Sequence, residues 1–249
     1  AVITVVCVVA SVISLFGWIG KKHQHSGKIL NITRHENDLI EIDCELKGEW
    51  HHKAGQYAFL NHRYFSGAHP FTIANAGSPD SRKLVFQIKA LGDYTRDLAK
   101  RIRAGQKVIV EGPYGRMNRS NARDDAAQVW VAGGIGITPF LAWLESMQHS
   151  SANARITMHY CVRNAATDPF IERIIQLCAQ LPNVKLRVHD ASLGDRLDAE
   201  KVLAENQPDN GKMDLWFCGP SSFAKSLQRE MKKLLGRGFR MHREVFEMR

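Results

Sequence analysis

From Lys28 to about Glu111 the apolar positions recur at every second residue. In LIEIDCEL, residues 39–46, Ile40, Ile42, Cys44 and Leu46 alternate with Glu41, Asp43 and Glu45, the period of a half-buried strand. GQYAFLNH, HPFTIANA, KLVFQIKA and QKVIVEGP are further short strands, separated by clusters of Gly, Pro, Ser and Asp. Only TRDLAKRI has helical spacing in this region. Several short strands with one helix predict a small antiparallel barrel. From Ala127 the rhythm changes. The apolar runs QVWVAG, ITMHYCV, VKLRVHD and DLWFCG each lead into a helical pattern: TPFLAWLESMQH, DPFIERIIQLCAQL, DAEKVLAEN and SSFAKSLQREMKKLL. Strand–helix alternation predicts a parallel sheet covered on both faces. The expected fold class is therefore α/β plus β: an antiparallel barrel over 26–118, then a parallel-sheet α/β domain over 126–249. The polar, basic stretch GRMNRSNARDD separates them, and no internal repeat is visible.

One apolar segment follows neither period. AVITVVCVVASVISLFGWIG, residues 1–20, contains no charged residue, carries Trp18 near its end and is followed at once by KKHQH. About 20 such residues suffice to cross a bilayer, and flanking positive residues favour the cytoplasm. The stretch is expected to be a transmembrane helix, with a buried core helix as the alternative. A signal peptide fits badly, because no basic region precedes the apolar run.

Composition changes this picture little. The 249 residues are enough for one large domain or two medium ones, and the net charge of +9 (34 basic, 25 acidic) is scattered rather than gathered into a recognition module. No nucleic-acid partner is expected; a phosphate-rich cofactor and an anionic membrane leaflet account for the excess. Cys7, Cys44, Cys161, Cys178 and Cys218 have no pairing rhythm and no CxxC, so neither a zinc site, an iron–sulfur cluster nor a disulfide framework is indicated.

Two stretches suit phosphates. In VWVAGGIGITPFLAWL a strand meets a glycine turn and a helix opening on Thr138-Pro139, with Thr at the expected N-cap and Pro in the first turn. Gly133, Gly134 and Gly136 would let backbone amides and the helix start approach a pyrophosphate; packing alone is the alternative. In GDYTRDL, Gly92, Asp93 and Thr95 open the lone barrel helix and would leave amides for a second phosphate group, unless they serve only as a cap.

The ordered set Gly55-Gln56-Tyr57, His69-Pro70-Phe71-Thr72, Gly92-Asp93-Tyr94-Thr95, Gly112-Pro113-Tyr114-Gly115, Gly133 to Pro139, Cys218-Gly219-Pro220 and Glu244-Val245-Phe246 resembles the plant-type ferredoxin–NADP reductase superfamily. The His-Pro-Phe-Thr form and the apolar start resemble its membrane branch, the ferric reductases and NADPH oxidases. The resemblance covers about residues 26–249. It implies a barrel holding FAD, an α/β domain holding NADPH or NADH, and single electrons passed to haem. That haem is expected in a membrane domain upstream in the same chain, whose last helix the segment 1–20 matches. The terminal acceptor would be ferric iron or dioxygen, and the dehydrogenase module would face the cytoplasm.

Site residues follow from the same resemblance. Tyr57, Pro70 and Phe71 would border the flavin, Phe71 lying flat on it, and Thr72 would hydrogen-bond near the ring nitrogen that receives hydride. His69 matches the position facing the diphosphate or ribityl chain, and Gly92, Asp93, Tyr94 and Thr95 would hold the diphosphate. Cys218, with Gly219 and Pro220, would face the nicotinamide; Glu244 is the nearby carboxylate and Phe246 the aromatic covering the exposed flavin face. For each the plain alternative stands beside it: a core phenyl for Phe71, strand filler for Thr72, a small buried hydrophobe for Cys218 and a sheet plug for Phe246. Glu247-Met248-Arg249 depart from the plant-type pattern by continuing past the aromatic. Arg163 ends the second α/β strand with no acid before Asp168, which suits a 2′-phosphate and so NADPH, a solvated loop residue being the alternative. Two other functions remain open: a soluble reductase feeding a separate electron-transfer protein, and a non-catalytic flavin-binding redox sensor.

Overall fold

The computed structural model describes residues 23–35, 37–61, 69–78, 81–148, 154–206, 208 and 210–244. The apolar stretch 1–20, expected as a membrane helix, and Phe246 lie outside them. Among the described residues, no helix is long and apolar enough to cross a membrane.

The described chain forms two sheets. The first holds β1 (Gln24–His35), β2 (Leu39–Leu46), β3 (Tyr57–Asn61), β4 (His69–Thr72), β5 (Lys83–Lys89) and β6 (Lys107–Tyr114), in the order β4-β3-β6-β1-β2-β5. All its pairings are antiparallel. An Ile73–Phe86 bridge and the Ala74 N–H to Val85 carbonyl bond (2.8 Å) join the chain just after β4 to β5, closing the barrel. Alternation does what the sequence pattern predicts: Ile40, Ile42, Cys44 and Leu46 point inward to join Ile29, Phe86 and Val110 in one core. Helix α1 (Asp93–Arg101) adds Leu98 to that core, and Ile102 just beyond it does the same.

The second sheet is parallel, in the order β11-β10-β7-β8-β9: β7 (Ala127–Gly133), β8 (Ile156–Val162), β9 (Val184–Asp190), β10 (Met213–Cys218) and β11 (Phe239–Arg243). Buried on both faces, β7 sends Trp130 and Ala132 to a core shared with helices α2 (Thr138–Met147) and α3 (Ile171–Ala179). Val129 and Val131 face a second core with α4 (Ala199–Glu205) and α5 (Ser221–Leu235). From β7 the chain runs outward through β8 and β9, then returns to the other side of β7 with β10. Strand order therefore reverses between β7 and β10, and in open α/β sheets ligands bind at the carboxyl edge of such a reversal.

The basic stretch between the sheets is anchored rather than loose. Met117 is buried in the α/β core, and the Arg123 side chain donates to the Asp214 carboxylate (2.8 Å) and to the carbonyls of Met213 and Gly238 (2.9 Å each). Asp214 is fully buried.

Candidate functional site

At the reversal point the two carboxyl-edge loops touch backbone to backbone. A Cβ on Gly136 would collide with the Cys218 carbonyl, one on Gly133 would come within 2.9 Å of Pro220 Cδ, and one on Gly219 within 3.1 Å of the Gly133 backbone. These three glycines are required by packing. Gly134 differs: its φ is +54° and open space lies where a Cβ would stand. Thr138 is not the expected N-cap. The 3-10 turn Gly134–Ile137 runs directly into α2, so Thr138 is the first helical residue, buried, with its hydroxyl donating to the Ile135 carbonyl (3.2 Å). Pro139 stands in the first turn as predicted. Cys218 ends β10 just beside this turn; burial, and then the nearby Glu244 carboxylate, push its thiol up to about 12. It is a neutral sulfur at physiological pH, not a nucleophile.

The barrel presents its own edge to this point. Tyr57 on β3 pairs in register with Thr72 on β4 and with Tyr114 on β6, and its ring centroid lies 6.0 Å from that of Tyr114. The Thr72 hydroxyl has no hydrogen-bond partner among the described residues. Phe71 turns the other way. Its ring is 7% exposed, sits in the barrel core and faces away from Thr72, so it fills the interior instead of offering a flat surface. The half-buried side chains beside it, Pro70 and Thr72, are the ones the strand turns outward.

The tail links the two edges. After β11, Glu244 accepts hydrogen bonds from the backbone N–H groups of Arg116 (2.7 Å) and Met117 (3.2 Å). A Cβ on Gly115 would strike this carboxylate and come within 2.9 Å of the Tyr57 ring. Burial raises the Glu244 pKa against these two bonds, and the same carboxylate, after burial, raises that of Tyr57. Glu244 thus sits within electrostatic reach of both Cys218 and Tyr57. The tail carboxylate links one residue of each sheet.

A little further along the barrel, His69 stacks on Tyr94, with centroids 3.5 Å apart and planes at 19°. The stack joins β4 to the start of α1. There Gly92 N–H donates to the Thr95 hydroxyl, which donates to the Gly92 carbonyl, both at 3.0 Å. Thr95 closes a cap on itself and is buried. Asp93 points to solvent and pairs with Arg96 (2.7 Å), so it caps nothing. Open space surrounds the Cβ position of Gly92, as it does at Gly134.

Residues 24–118 match the model of an FAD-binding domain and residues 130–229 that of an oxidoreductase NAD-binding domain. Together these are the two domains of a ferredoxin reductase-like arrangement. Relatives of the chain include the carnitine monooxygenase reductase subunit of Escherichia coli strain K12, 29% identical over 61% of this chain and 44% of that one. NADPH oxidase 1 of Mus musculus is 29% identical over 53% of this chain and 23% of that protein. The chain therefore spans less than half the length of either. The FAD/NAD binding domain of a nitric oxide dioxygenase from Vibrio cholerae has the same fold, with a TM-score of 0.71 at 19% identity, over 89% of this chain and 98% of that one.

The two matched domains are those that bind FAD and a nicotinamide dinucleotide. The chain's residues fit those cofactors. Gly92 and Gly134 each present bare backbone to open space beside a helix start, the arrangement that receives a diphosphate. Arg163, just past β8, is exposed at the carboxyl edge, and its side chain has no partner among the described residues. Asp168 is engaged elsewhere, accepting from the Tyr160 hydroxyl (2.8 Å) and the Phe170 N–H (3.0 Å). Tyr114 and Gly115, from the Gly112-Pro113-Tyr114-Gly115 motif, stand against Tyr57, and Gly115 also against Glu244. Sequence reasoning missed Trp143, whose Nε1–H donates to the Ala54 carbonyl (2.8 Å) two residues before Gln56. Nothing in a helical pattern distinguishes a tryptophan that reaches across to another sheet from one that stays in its own core.

Proposed function

We propose that this chain is the dehydrogenase module of a membrane ferric reductase or NADPH oxidase, which takes hydride from NADPH onto FAD and delivers electrons one at a time to haem in a membrane domain. Bound FAD supplies the switch from a two-electron donor to a one-electron acceptor. The residues supply position. Thr72 offers its hydroxyl to the flavin ring beside Tyr57 and Pro70, while the His69–Tyr94 stack and the Gly92 turn hold the flavin diphosphate. The Gly134 turn and the start of α2 take the nucleotide diphosphate, Arg163 the 2′-phosphate, and Cys218 gives the nicotinamide an uncharged, dry wall. Phe246, outside the described residues, would be the ring that covers the flavin until the nicotinamide displaces it. The observation that carries the reading is the Glu244 carboxylate of the tail, within electrostatic reach both of Tyr57, which pairs with Thr72 in the first sheet, and of Cys218 in the second. The membrane acceptor is supported by the uncharged segment 1–20 followed by KKHQH and by the NADPH oxidase relative.

A specific observation also favours a reductase feeding a separate electron carrier: the carnitine monooxygenase reductase relative is as similar as the oxidase. Fractionation of the full-length protein separates the two. Haem in the membrane fraction, reduced on adding NADPH, supports the first; haem-free protein in the soluble fraction, reducing only an added carrier, replaces it with the second. The nucleotide assignment has its own test. Arg163→Ala removes a charged hydrogen-bonding group, so the KM for NADPH should rise about ten- to a hundredfold while that for NADH stays unchanged. Equal effects on both would remove Arg163 from the 2′-phosphate.

A further inference from the structure

Helix α2 starts at the Gly134 turn, yet its far end grips the barrel twice. Trp143 donates to the Ala54 carbonyl (2.8 Å), and a Cβ on neighbouring Gly55 would collide with the same indole nitrogen. Two residues on, the Glu145 carboxylate accepts from the Ala76 N–H (3.3 Å). Arg173 on α3 holds that carboxylate and also reaches Glu41 on β2 (3.6 Å). The two gripped segments lead directly to Tyr57 and Thr72. Ala54 precedes Tyr57, Ala76 follows Thr72, and Tyr57 pairs with Thr72 in register. A further network makes them one body: Trp50 Nε1–H donates to His52 Nδ1 (3.0 Å), leaving Nε2 to donate to the Asn75 carbonyl (3.1 Å). On its other side the Trp143 ring meets Trp216 edge-on at 5.1 Å, and Trp216 stacks on His242 at 3.8 Å. Those rings lie two residues before Cys218 and two before Glu244.

We propose that α2 is a strut that sets the nicotinamide against the flavin, with Trp143 and Glu145 as its positioning residues. Helix, glycine turn and both ties are buried or half-buried, and a ten-residue helix is about 15 Å of stiff rod. A nucleotide settling on the Gly134 turn therefore loads, through Trp143 and Glu145, the two strands that carry Tyr57 and Thr72. Hydride transfer is acutely sensitive to such placement, since a misplacement of about 1 Å costs on the order of a hundredfold in rate. The inference rests on Tyr57 and Thr72 facing the flavin, as proposed above, and is independent of the electron acceptor.

The test uses FAD-loaded protein carrying Trp143→Phe, which keeps a packed ring but loses the N–H, or Glu145→Ala. At saturating NADPH the rate constant for flavin reduction should fall about tenfold or more, with NADPH affinity changed less than about twofold. Glu145→Gln keeps an acceptor for Ala76 and should restore most of the rate. A second readout is independent of turnover: on binding NADP+, amide hydrogen exchange at 54–57 and 73–76 should slow in the native protein, whereas in either variant only the glycine turn is protected. Native rate constants in both variants would overturn the proposal. So would a loss that vanishes once rates are taken per folded, FAD-loaded molecule, or barrel protection that is absent in the native protein or unchanged in the variants. Thr72→Val serves as the control for the underlying reading: if it too reduces flavin at the native rate, the placement of the flavin has failed, not the strut alone.

Discussion

Two glycines of one turn, two positions apart, do different physical work. Gly136 lies against the Cys218 carbonyl and Gly219 N, backbone atoms that cannot rotate aside, whereas Gly134 faces open space with φ +54°. Gly136→Ala must push the β7–α2 and β10–α5 loops apart. Overpacking of this kind costs about 1–3 kcal/mol and would widen the nucleotide site, so both melting temperature and NADPH affinity should fall. Gly134→Ala meets no atom and pays only for a left-handed backbone, about 1–2 kcal/mol. Its loss of stability should match its loss of conformational freedom, with the sheet edge intact by crystallography. Equal displacement of Cys218 in both variants would contradict this division. The sequence could show three glycines at a strand–helix junction, but not which met protein and which met solvent. That depends on β10, some eighty residues away. Phe71 illustrates the same limit: strand periodicity said that Phe71 and Thr72 face opposite ways, but only barrel closure decided which way was in.

Elements that bury a regular face were legible; those held by pairing or by charge were not. LIEIDCEL alternates and the α/β strands are unbroken apolar runs, so their burial could be read from period alone. β1, with QHSGKILNITRH, buries only Gly27 and Ile29 and is held as a strand by ladders to β2 and β6. β11 is similarly polar, an edge strand whose place is fixed by β10. The stretch GRMNRSNARDD looked like a linker because its critical contact is ionic and distant in sequence. Arg123 supplies the partner that lets Asp214 remain wholly buried inside β10. Removing one partner of a buried pair strands the other, at about 3–5 kcal/mol. Urea denaturation of Arg123→Ala should show a loss of that size. Arg123→Met with Asp214→Leu should recover part of it, because no buried charge is then left alone. A loss below about 1 kcal/mol in the single variant would mean that Asp214 finds water when Arg123 goes.

At the scale of the whole molecule, buried titrating groups confine maximal stability to a window of pH. His189 donates from Nδ1 to Asp195 (3.0 Å), which Lys201 also holds; its Nε2 therefore accepts from His159 Nδ1 (3.0 Å), and His159 Nε2 faces the Asn206 amide (3.4 Å). The arrangement closes with His159 neutral, its Nδ1 donating and its Nε2 accepting. Burial, then the neighbouring His189, lower the His159 pKa to about 4. Between roughly 6.5 and 4 the unfolded chain binds a proton there and the folded chain does not, so stability falls as pH falls through that interval, by about 3 kcal/mol at most. The alkaline side has the opposite sign. Burial pushes the thiols of Cys44, Cys161, Cys178 and Cys218 each up to about 12. Unfolded thiols ionise near 8.5, so above that pH the unfolded chain sheds protons the folded one keeps, and each thiol costs about 1.4 kcal/mol per pH unit. The melting temperature should thus be highest between about pH 6.5 and 8.5. His159→Gln, measured at pH 5 and 7.5, should lower the plateau yet lose less than the native protein between the two. An acid limb of native steepness in that variant would mean that His159 is charged in the folded state, and that the proton arrangement joining β8, β9 and α4 is not the one deduced from their distances.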